Sequence, residues 1–372
     1  MRVIISGGGT GGHINPALAI GKYIKSKKPN SEILYVGGTG GLEEKLVPRE
    51  GFEIKTVEIK GFRRRLDPKG IAYNLNVAKT ALNSLKKAGE IIKEFKPDIV
   101  VGCGGYASFP VVYQAQRMKI PTAILEVNAY AGVTTKVLSK KADAVMICFD
   151  ASRSYLKCKN IVMTGNPVRE DIIYADREKA RAARNLGDTP MILSVWGSLG
   201  AEAMNRMMVD FIAHEAEDKK HHLVHAIGSY GYKWMPDKIK EKGVDVDKCP
   251  NIEIRDYIYD MADTMSAADI VLCRAGAATS AELAVMGKPA IIVPSPNVAE
   301  NHQEKNARAL ESKGAAVVLL EKDLDGNKLY EEACKLLDDK EKLKSMSKAM
   351  KALATPDAID KIYEVLMSIK RN

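Results

Sequence analysis

Short apolar runs alternate with helix-length stretches along almost the whole chain. The apolar runs predict strands at Val3–Ser6, Ile33–Val36, Lys55–Ile59, Asp98–Gly102, Thr122–Leu125, Ala144–Ile147 and Ile161–Met163. After a helix-rich stretch the pattern restarts with Met191–Val195, Leu223–Ile227, Ile252–Ile254, Ile270–Cys273, Ala290–Val293 and Ala316–Leu320. Strand and helix in alternation place the chain in the α/β class, with parallel, doubly wound sheets. The restart repeats the opening: Pro190–Gly200 is an apolar strand followed by a Gly/Ser turn, and a helix follows from Ala201 to about residue 216. Two Rossmann-like halves are expected, 1–163 and 164–354, joined near Thr164–Arg169, whose Gly, Asn and Pro break regular structure. The last helix, 355–372, is expected to start at a Thr355 cap with Pro356 in its first turn, and to cross back to the first domain. Its apolar face would be Ile359, Ile362, Leu366 and Ile369. Ligands in such sheets bind outside the carboxyl ends of the strands, so two domains facing each other would line one cleft with glycine loops on both walls.

The opening shows what those loops are built for. Val3–Ile5 runs into Gly7, Gly8, Gly9, Thr10, Gly11 and Gly12, then His13 and an Ala/Leu/Ile-rich helix. Glycines let backbone N–H groups approach a ligand, and the helix N-terminus favours negative charge. The spacing fits G-x-G-x-x-G, but a dinucleotide site also wants an acid closing the second strand. That strand ends Tyr35-Val36-Gly37-Gly38-Thr39, so a nicotinamide or flavin is disfavoured and no cofactor is expected. At a helix N-terminus His13 should stay neutral, which makes it a candidate general base. The blander reading is a histidine that packs the turn.

Further polar groups collect at predicted strand ends. Gly104, Gly105 and Tyr106 lie in a third glycine turn, and Glu126 and Asn128 follow the next strand. In the second half, Arg274 and a Gly/Ala/Thr/Ser corner precede Glu282, whose carboxylate could take both hydroxyls of a ribose. Asn301, His302 and Gln303 suit sugar hydroxyls, and Arg169 at the domain join could meet a diphosphate. Taken singly, each is also an ordinary polar turn or a solvated helix position.

Composition narrows the partners. With 372 residues, two domains are the default, and 46% hydrophobic with 28% charged residues is ordinary for a globular chain. No run of 18 apolar residues predicts a membrane span, and a signal peptide is not expected from a strand leading straight into a glycine loop. Six scattered cysteines without a CxxC pair, and six histidines without HxxxH spacing, predict a reducing compartment and no metal site. The net charge of +9 points to anionic partners. The densest basic run, Lys60–Lys69, leads into a helix with Ile71, Leu75, Ala78, Leu82, Leu85 and Ile92 at mixed 3 and 4 spacing and Lys79, Lys86, Lys87 and Lys93 on other faces. Residues 60–95 are therefore expected to sit on an anionic membrane surface, against the plainer alternative of a solvated surface helix. Nucleic acid is not expected as a partner.

The motifs GGGTGGHINPALAI, GCGGYASFP, TGNPVR, CRAGAATSAELA and HQEKNA occur in that order, and together they resemble the MurG family of bacterial peptidoglycan glycosyltransferases over essentially the full length. The resemblance implies the GT-B fold and inverting, metal-independent transfer of GlcNAc from UDP-GlcNAc to the C4 hydroxyl of MurNAc on lipid I. The product would be lipid II, made by a peripheral protein on the cytoplasmic face of the cell membrane, with cell-wall synthesis and division proteins as further partners. It implies donor contacts from Glu282 to the ribose and from the backbone near Tyr257 and Ile258 to the uracil. Ser198 with the adjacent amides and Arg169 would meet the diphosphate; Gln303, His302, Ala277, Ala278 and Asn128 would serve the sugar, and Arg274 would be a further donor-binding residue. Thr10, Gly11 and Gly12 would border the donor too. The acceptor diphosphate would lie on Gly11 and Gly12 beside Gly104, Gly105 and Tyr106, with His13 as base and Glu126 as its competitor. Three stretches depart from the family's usual pattern. Trp196-Gly197-Ser198-Leu199-Gly200 stands for Gly-Gly-Ser-Gln-Gly, Leu125-Glu126-Val127-Asn128 for His-Glu-Gln-Asn, and His302-Gln303 for Gln-Gln. Another GT-B enzyme with a lipid acceptor, such as a diacylglycerol glucosyltransferase, and a UDP-GlcNAc epimerase are the alternatives.

Overall fold

The computed structural model describes residues 1–59, 68–197 and 199–371, without the side chains of 68–76, 78, 230 and 299. The chain forms two units, Met1–Pro167 with Asp357–Asn372, and Val168–Pro356.

In the first unit seven strands form one sheet: β1 (Arg2–Ser6), β2 (Glu32–Gly38), β3 (Glu53–Val57), β4 (Ile99–Gly102), β5 (Thr122–Glu126), β6 (Ala144–Ile147) and β7 (Ile161–Met163). All pairs are parallel, in the order β3-β2-β1-β4-β5-β6-β7. The order reverses between β1 and β4, so the turns that follow these two strands lie side by side; Cys103 N–H donates to Ser6 O at 2.7 Å. Ile4, Leu34, Val100, Ile124 and Val145 form the middle of the core. β3 ends at Val57 and does not reach Ile59 as the apolar pattern suggested. Its partner β2 turns away at Gly38, and Thr39 N–H to Val57 O at 2.9 Å is the closing rung.

Two helices differ from expectation in which face they bury. The helix Pro68–Phe95 turns Val77, Thr80, Ser84, Ala88, Ile91 and Ile92 inward, and Leu82 is exposed. The inner stripe is small and partly polar because the neighbouring helix Ser108–Arg117 approaches closely; Gln114 donates to Leu85 O at 2.9 Å. Ile71, Leu75 and Ala78 have side chains outside the description, and the basic run 60–67 lies outside the described residues. The terminal helix is Ala358–Ile369, flanked by Asp357, so Thr355 is not its cap and Pro356 precedes it. Its buried stripe is Ala358, Ile362, Val365 and Leu366. It packs on the first helix, Gly11–Lys27, where the Tyr23 hydroxyl donates to Asp360 and the Tyr23 and Tyr363 rings meet edge-on at 5.7 Å. The stripe centres on 362–366 because the helix is wedged between that helix and β6.

The second unit repeats the plan with β8 (Met191–Val195), β9 (His222–Ala226), β10 (Ile252–Arg255), β11 (Ile270–Cys273), β12 (Ala290–Ile292) and β13 (Ala316–Val318). The order is β10-β9-β8-β11-β12-β13, parallel throughout, with the reversal between β8 and β11. Met204, Met208, Phe211, Leu272 and Ile291 fill its core. Part of the positive charge is structural here. Arg177, Arg181 and the buried Lys288 all donate to the carbonyls of Ala267 or Ala268, which end the helix Met261–Ala267, a favourable place for cations.

Candidate functional site

In the first unit β1 leads through Gly7–Gly9 into the helix Gly11–Lys27, whose flanking residue Thr10 is extended and makes no side-chain cap. The His13 and Ile14 N–H groups turn back to Thr10 O at 3.1 and 3.2 Å. Those of Gly11 and Gly12 donate to nothing among the described residues, which leaves two helix-end donors for an anion. The turn after β4 presses on this loop backbone to backbone. A Cβ on Gly105, which has φ +78°, would stand 2.3 Å from Gly8 O, so only glycine fits. His13 Nδ1 lies 3.1 Å from Cys103 O. A carbonyl can only accept, so Nδ1 carries the hydrogen and Nε2 is the basic nitrogen. The structure thus gathers Gly11, Gly12, His13, Gly104 and Gly105 at one corner, with the Tyr106 side chain 65% exposed beside them.

One residue of this corner escaped the sequence reading. Glu43 is 1% exposed, and its carboxylate accepts from Gly38 N–H at 2.8 Å and Gly9 N–H at 3.3 Å. An acid does follow β2, but it is turned inward onto the loop's own amides. The available signal was four glycines (37, 38, 40 and 41) with an acid two residues after the last. A loop bare of side chains needs an acceptor from elsewhere for its buried N–H groups.

Glu126, at the end of β5, is likewise buried and engaged. One oxygen accepts from Asn128 N–H at 3.1 Å and the other from Gly132 N–H at 3.0 Å. Burial raises its pKa, against the lowering effect of Thr135, Gly132 and Asn128 as hydrogen-bond donors. The loop 127–132 is wrapped around this carboxylate, and Asn128 is held half-buried by it.

In the second unit the turn after β8 closes with Gly200 N–H on Gly197 O at 3.0 Å, and Ser198 lies outside the described residues. Here too two turns touch through glycine: a Cβ on Gly228 would stand 2.3 Å from Gly200 N. The helix Glu202–Asp218 starts there without a side-chain cap. The helix Ala277–Met286 follows β11 through an extended Gly276, and the N–H groups of Ala277 and Ala278 donate to nothing among the described residues.

Glu282, on that helix, receives no hydrogen bond among the described residues. Burial pushes its pKa up to about 7; the Arg169 charge pulls it down and Asp171 pushes it up. Arg169 is exposed and held by Asp171 at 3.1 and 2.8 Å. Arg274 is 11% exposed, donating to Val293 O at 3.0 Å and pairing with Glu321 at 2.6 Å. Ile258 is buried after β10, with the Tyr257 ring edge-on to Tyr259 at 4.9 Å. Gln303 accepts Ser295 N–H at 2.9 Å through its oxygen, so its NH2 is the end left to donate. His302 is half-buried, after Glu300 and Asn301, both left-handed at φ 54° and 52°. Asn306, which the sequence reading passed over, is buried and donates to Ala275 O at 3.2 Å, fixing the turn after β11. Among the described residues no three His, Cys, Asp or Glu side chains gather as a metal site requires.

Two doubly wound parallel sheets, each with an uncapped helix N-terminus behind a glycine turn, define a two-domain Rossmann-like protein with places for anionic groups at its strand ends. The chain belongs to glycosyltransferase family 28, matching its N-terminal domain over residues 3–147 and its C-terminal domain over 191–362, and within it to the MurG group. It is 47% identical over 376 residues to the UDP-N-acetylglucosamine–N-acetylmuramyl-(pentapeptide) pyrophosphoryl-undecaprenol N-acetylglucosamine transferase of Acetivibrio thermocellus, covering 100% of this chain and 99% of the relative. The protein of the same name from Listeria monocytogenes is 40% identical, with 100% of both covered. Among solved structures, Acinetobacter baumannii MurG superposes with a TM-score of 0.78 at 27% identity, covering 99% of both chains. A UDP-N-acetylglucosamine 2-epimerase structure from Listeria monocytogenes shares the fold, with a TM-score of 0.68 at 16% identity over 99% of this chain and 96% of that one.

Proposed function

We propose that this chain transfers GlcNAc from UDP-GlcNAc to the C4 hydroxyl of MurNAc in lipid I, forming lipid II with inversion at the anomeric carbon and without a metal. The observation that carries this is the full-length 47% identity to a transferase of that name. Glu282 takes the ribose diol, because it is a desolvated carboxylate without a donor among the described residues. The backbone near Tyr257 and Ile258 receives the uracil. The donor diphosphate lies at the start of the helix Glu202–Asp218, with Ser198 and Arg169 beside it. The Gln303 NH2, His302 and the Ala277/Ala278 backbone serve the sugar. The Gly11 and Gly12 amides, with the Gly104–Tyr106 turn, take the lipid-linked diphosphate.

Inversion needs one displacement and one base. His13 Nε2 receives the C4 hydroxyl proton as that oxygen bonds to the anomeric carbon; the bond to UDP breaks and its electron pair leaves on the diphosphate. Helix-end amides stabilise that developing charge in place of a cation. Glu126 has both oxygens on loop amides, so its part is to hold Asn128 rather than to take the proton.

The lipid acceptor also suits an apolar pocket of about 260 Å³ in the first unit, lined by Val77, Ala81, Leu85, Tyr106, Phe109 and Val137. Tyr106 joins that pocket to the acceptor corner. The exposed Leu82 and the exposed lysines 79, 86, 87 and 93 belong to the same helix, Pro68–Phe95, and supply the groups of a peripheral anionic-membrane contact. No helix among the described residues is long and apolar enough to cross a membrane.

The test is transfer of labelled GlcNAc from UDP-GlcNAc to a lipid I analogue in the presence of EDTA. Labelled disaccharide-lipid supports the proposal. UDP released with free ManNAc would make the chain an epimerase, and labelled product only with added divalent metal would remove the metal-free mechanism.

A further inference from the structure

The loop after β10 is short and tied at both ends. Arg255 is the last residue of β10 and Asp260 immediately precedes the helix Met261–Ala267, so residues 256–259 span the gap. Arg255 Nη1 donates to one Asp260 carboxylate oxygen at 2.8 Å, which buckles the two ends together. Arg184 Nη2 donates to the other oxygen at 2.6 Å. Neither guanidinium is loose. Arg184 is 12% exposed and also donates to Thr264 Oγ1 at 2.8 Å, inside the helix. Arg255 donates through Nε to Glu253 at 3.0 Å, and Glu253 takes His222 Nε2 on β9 at 2.7 Å. Asp260 is 43% exposed, and a single exposed ion pair is worth little; here one carboxylate bridges two guanidiniums that are each held elsewhere, which makes a network. The backbone adds Ile227 N–H to Arg255 O at 2.9 Å and Gly228 N–H to Asp256 O at 3.1 Å. The apex of the loop is different. The Ile258 side chain is buried, yet its backbone N–H and C=O make no hydrogen bond among the described residues. A donor and an acceptor on one residue suit the edge of uracil, an N3–H beside a carbonyl oxygen. Cytosine has a bare N3 there and sets acceptor against acceptor.

We propose that Asp260, through Arg184 and Arg255, is a positioning residue for the nucleotide base: it holds the loop 256–259 so that the Ile258 backbone meets uracil in register and refuses cytosine. The inference rests on the assignment of the uracil to the backbone near Tyr257 and Ile258. A loop free to shift would have to be ordered when the nucleotide binds. Fixing the backbone of even one residue costs roughly a factor of ten in affinity. The clamp orders the loop in the free protein instead. A loosened apex can also adjust to a cytosine edge, so the loss falls on discrimination as well as on affinity. The three charged residues act through the loop, without contact to the nucleotide.

The test is the affinity of UDP and of CDP, measured calorimetrically at pH 8 on wild type, Asp260→Ala and Asp260→Asn. The two ligands share ribose and diphosphate and differ only in the base. Wild type should prefer UDP by tenfold or more, the worth of a hydrogen bond made in one case and opposed in the other. Asp260→Ala removes both ties and should weaken UDP by roughly tenfold while CDP stays within about twofold, so the preference falls by most of that factor. Asp260→Asn keeps the size and one acceptor oxygen, and should weaken UDP by about threefold. In turnover the loss should appear in the KM for UDP-GlcNAc with kcat nearly kept. A general loosening of the fold would weaken UDP and CDP alike. That result, or an unchanged UDP-to-CDP ratio in variants that melt with wild type, would overturn the inference. Asp260→Asn is nearly isosteric at a partly exposed position, so it decides the matter even where Asp260→Ala does not fold. A wild-type protein that binds UDP and CDP equally defeats the assignment of the base to this loop, a result distinct from a preference that survives in the variants.

Discussion

Glu282 offers the sharpest quantitative test of the donor site. A ribose diol donates two hydrogen bonds and needs an ionised acceptor, whereas burial raises the Glu282 pKa to about 7. The ionised fraction is then about 9% at pH 6 and about 91% at pH 8, so uridine affinity should rise roughly tenfold between them. Stability runs the other way. The carboxyl pKa is higher in the native state than in the unfolded chain, so its contribution is complete below about pH 4.5 and is lost as pH rises through about 7. Uridine is the better probe than UDP, whose terminal phosphate titrates near pH 6 and would mask the effect. Glu282→Gln keeps the size and removes the titration. Its uridine affinity should be flat from pH 6 to 8 and at pH 8 roughly 10- to 100-fold below wild type, the worth of hydrogen bonds to a charged group. Calorimetric titration at pH 6, 7 and 8 measures both. A wild-type change under twofold, or the same slope in the Gln variant, would refute the ribose role.

Three further outcomes follow from the first unit. His13→Ala should lower kcat by roughly 10²–10⁴-fold with KM little changed, measured by lipid II formation; a loss under tenfold would take proton transfer away from it. Glu43→Gln offers one acceptor to the two N–H groups of Gly9 and Gly38. It should destabilise the protein by about 1–3 kcal/mol in urea unfolding, and an unmoved midpoint would refute its bracing role. Deleting residues 357–372 removes the buried Ile362, Val365 and Leu366, each worth about 1.5–3 kcal/mol at most. Hydrogen exchange should then show β6 and the helix Gly11–Lys27 losing protection while β8 and β11 keep theirs; a uniform loss would contradict the division into units.

Much of the fold was legible because its signals are local. Every predicted strand exists, since each is an apolar run too short for a helix and bounded by turn residues. The restart at Met191 reproduced the opening plan, and the sheet orders reverse at β1/β4 and β8/β11 alike. The misses share one cause. β3 stopped at Val57 because β2 had no further residue to pair with, and Leu82 faces out because a neighbouring helix claimed the other side of its own. The terminal helix turned its stripe to fit two surfaces it meets only after folding. None of these is contained in a window of neighbouring residues.

The same line divides the site. The sequence alone determined the two glycine corners, the helix N-termini behind them and the residue types available there: His13, Glu126 and Asn128 in one half, Arg274, Glu282 and Gln303 in the other. Glycine spacing and strand length suffice for that. Only the tertiary structure decided where each polar group points. It turned Glu126 and Glu43 onto loop amides, locked Arg274 to Glu321, tied the buried Trp196 indole to Ser194, and left Glu282 desolvated without a donor among the described residues. The physical reason is that a buried polar group must find its partner in space. The partners here lie far along the chain, 34 residues away for Glu43 and Gly9 and 47 for Arg274 and Glu321.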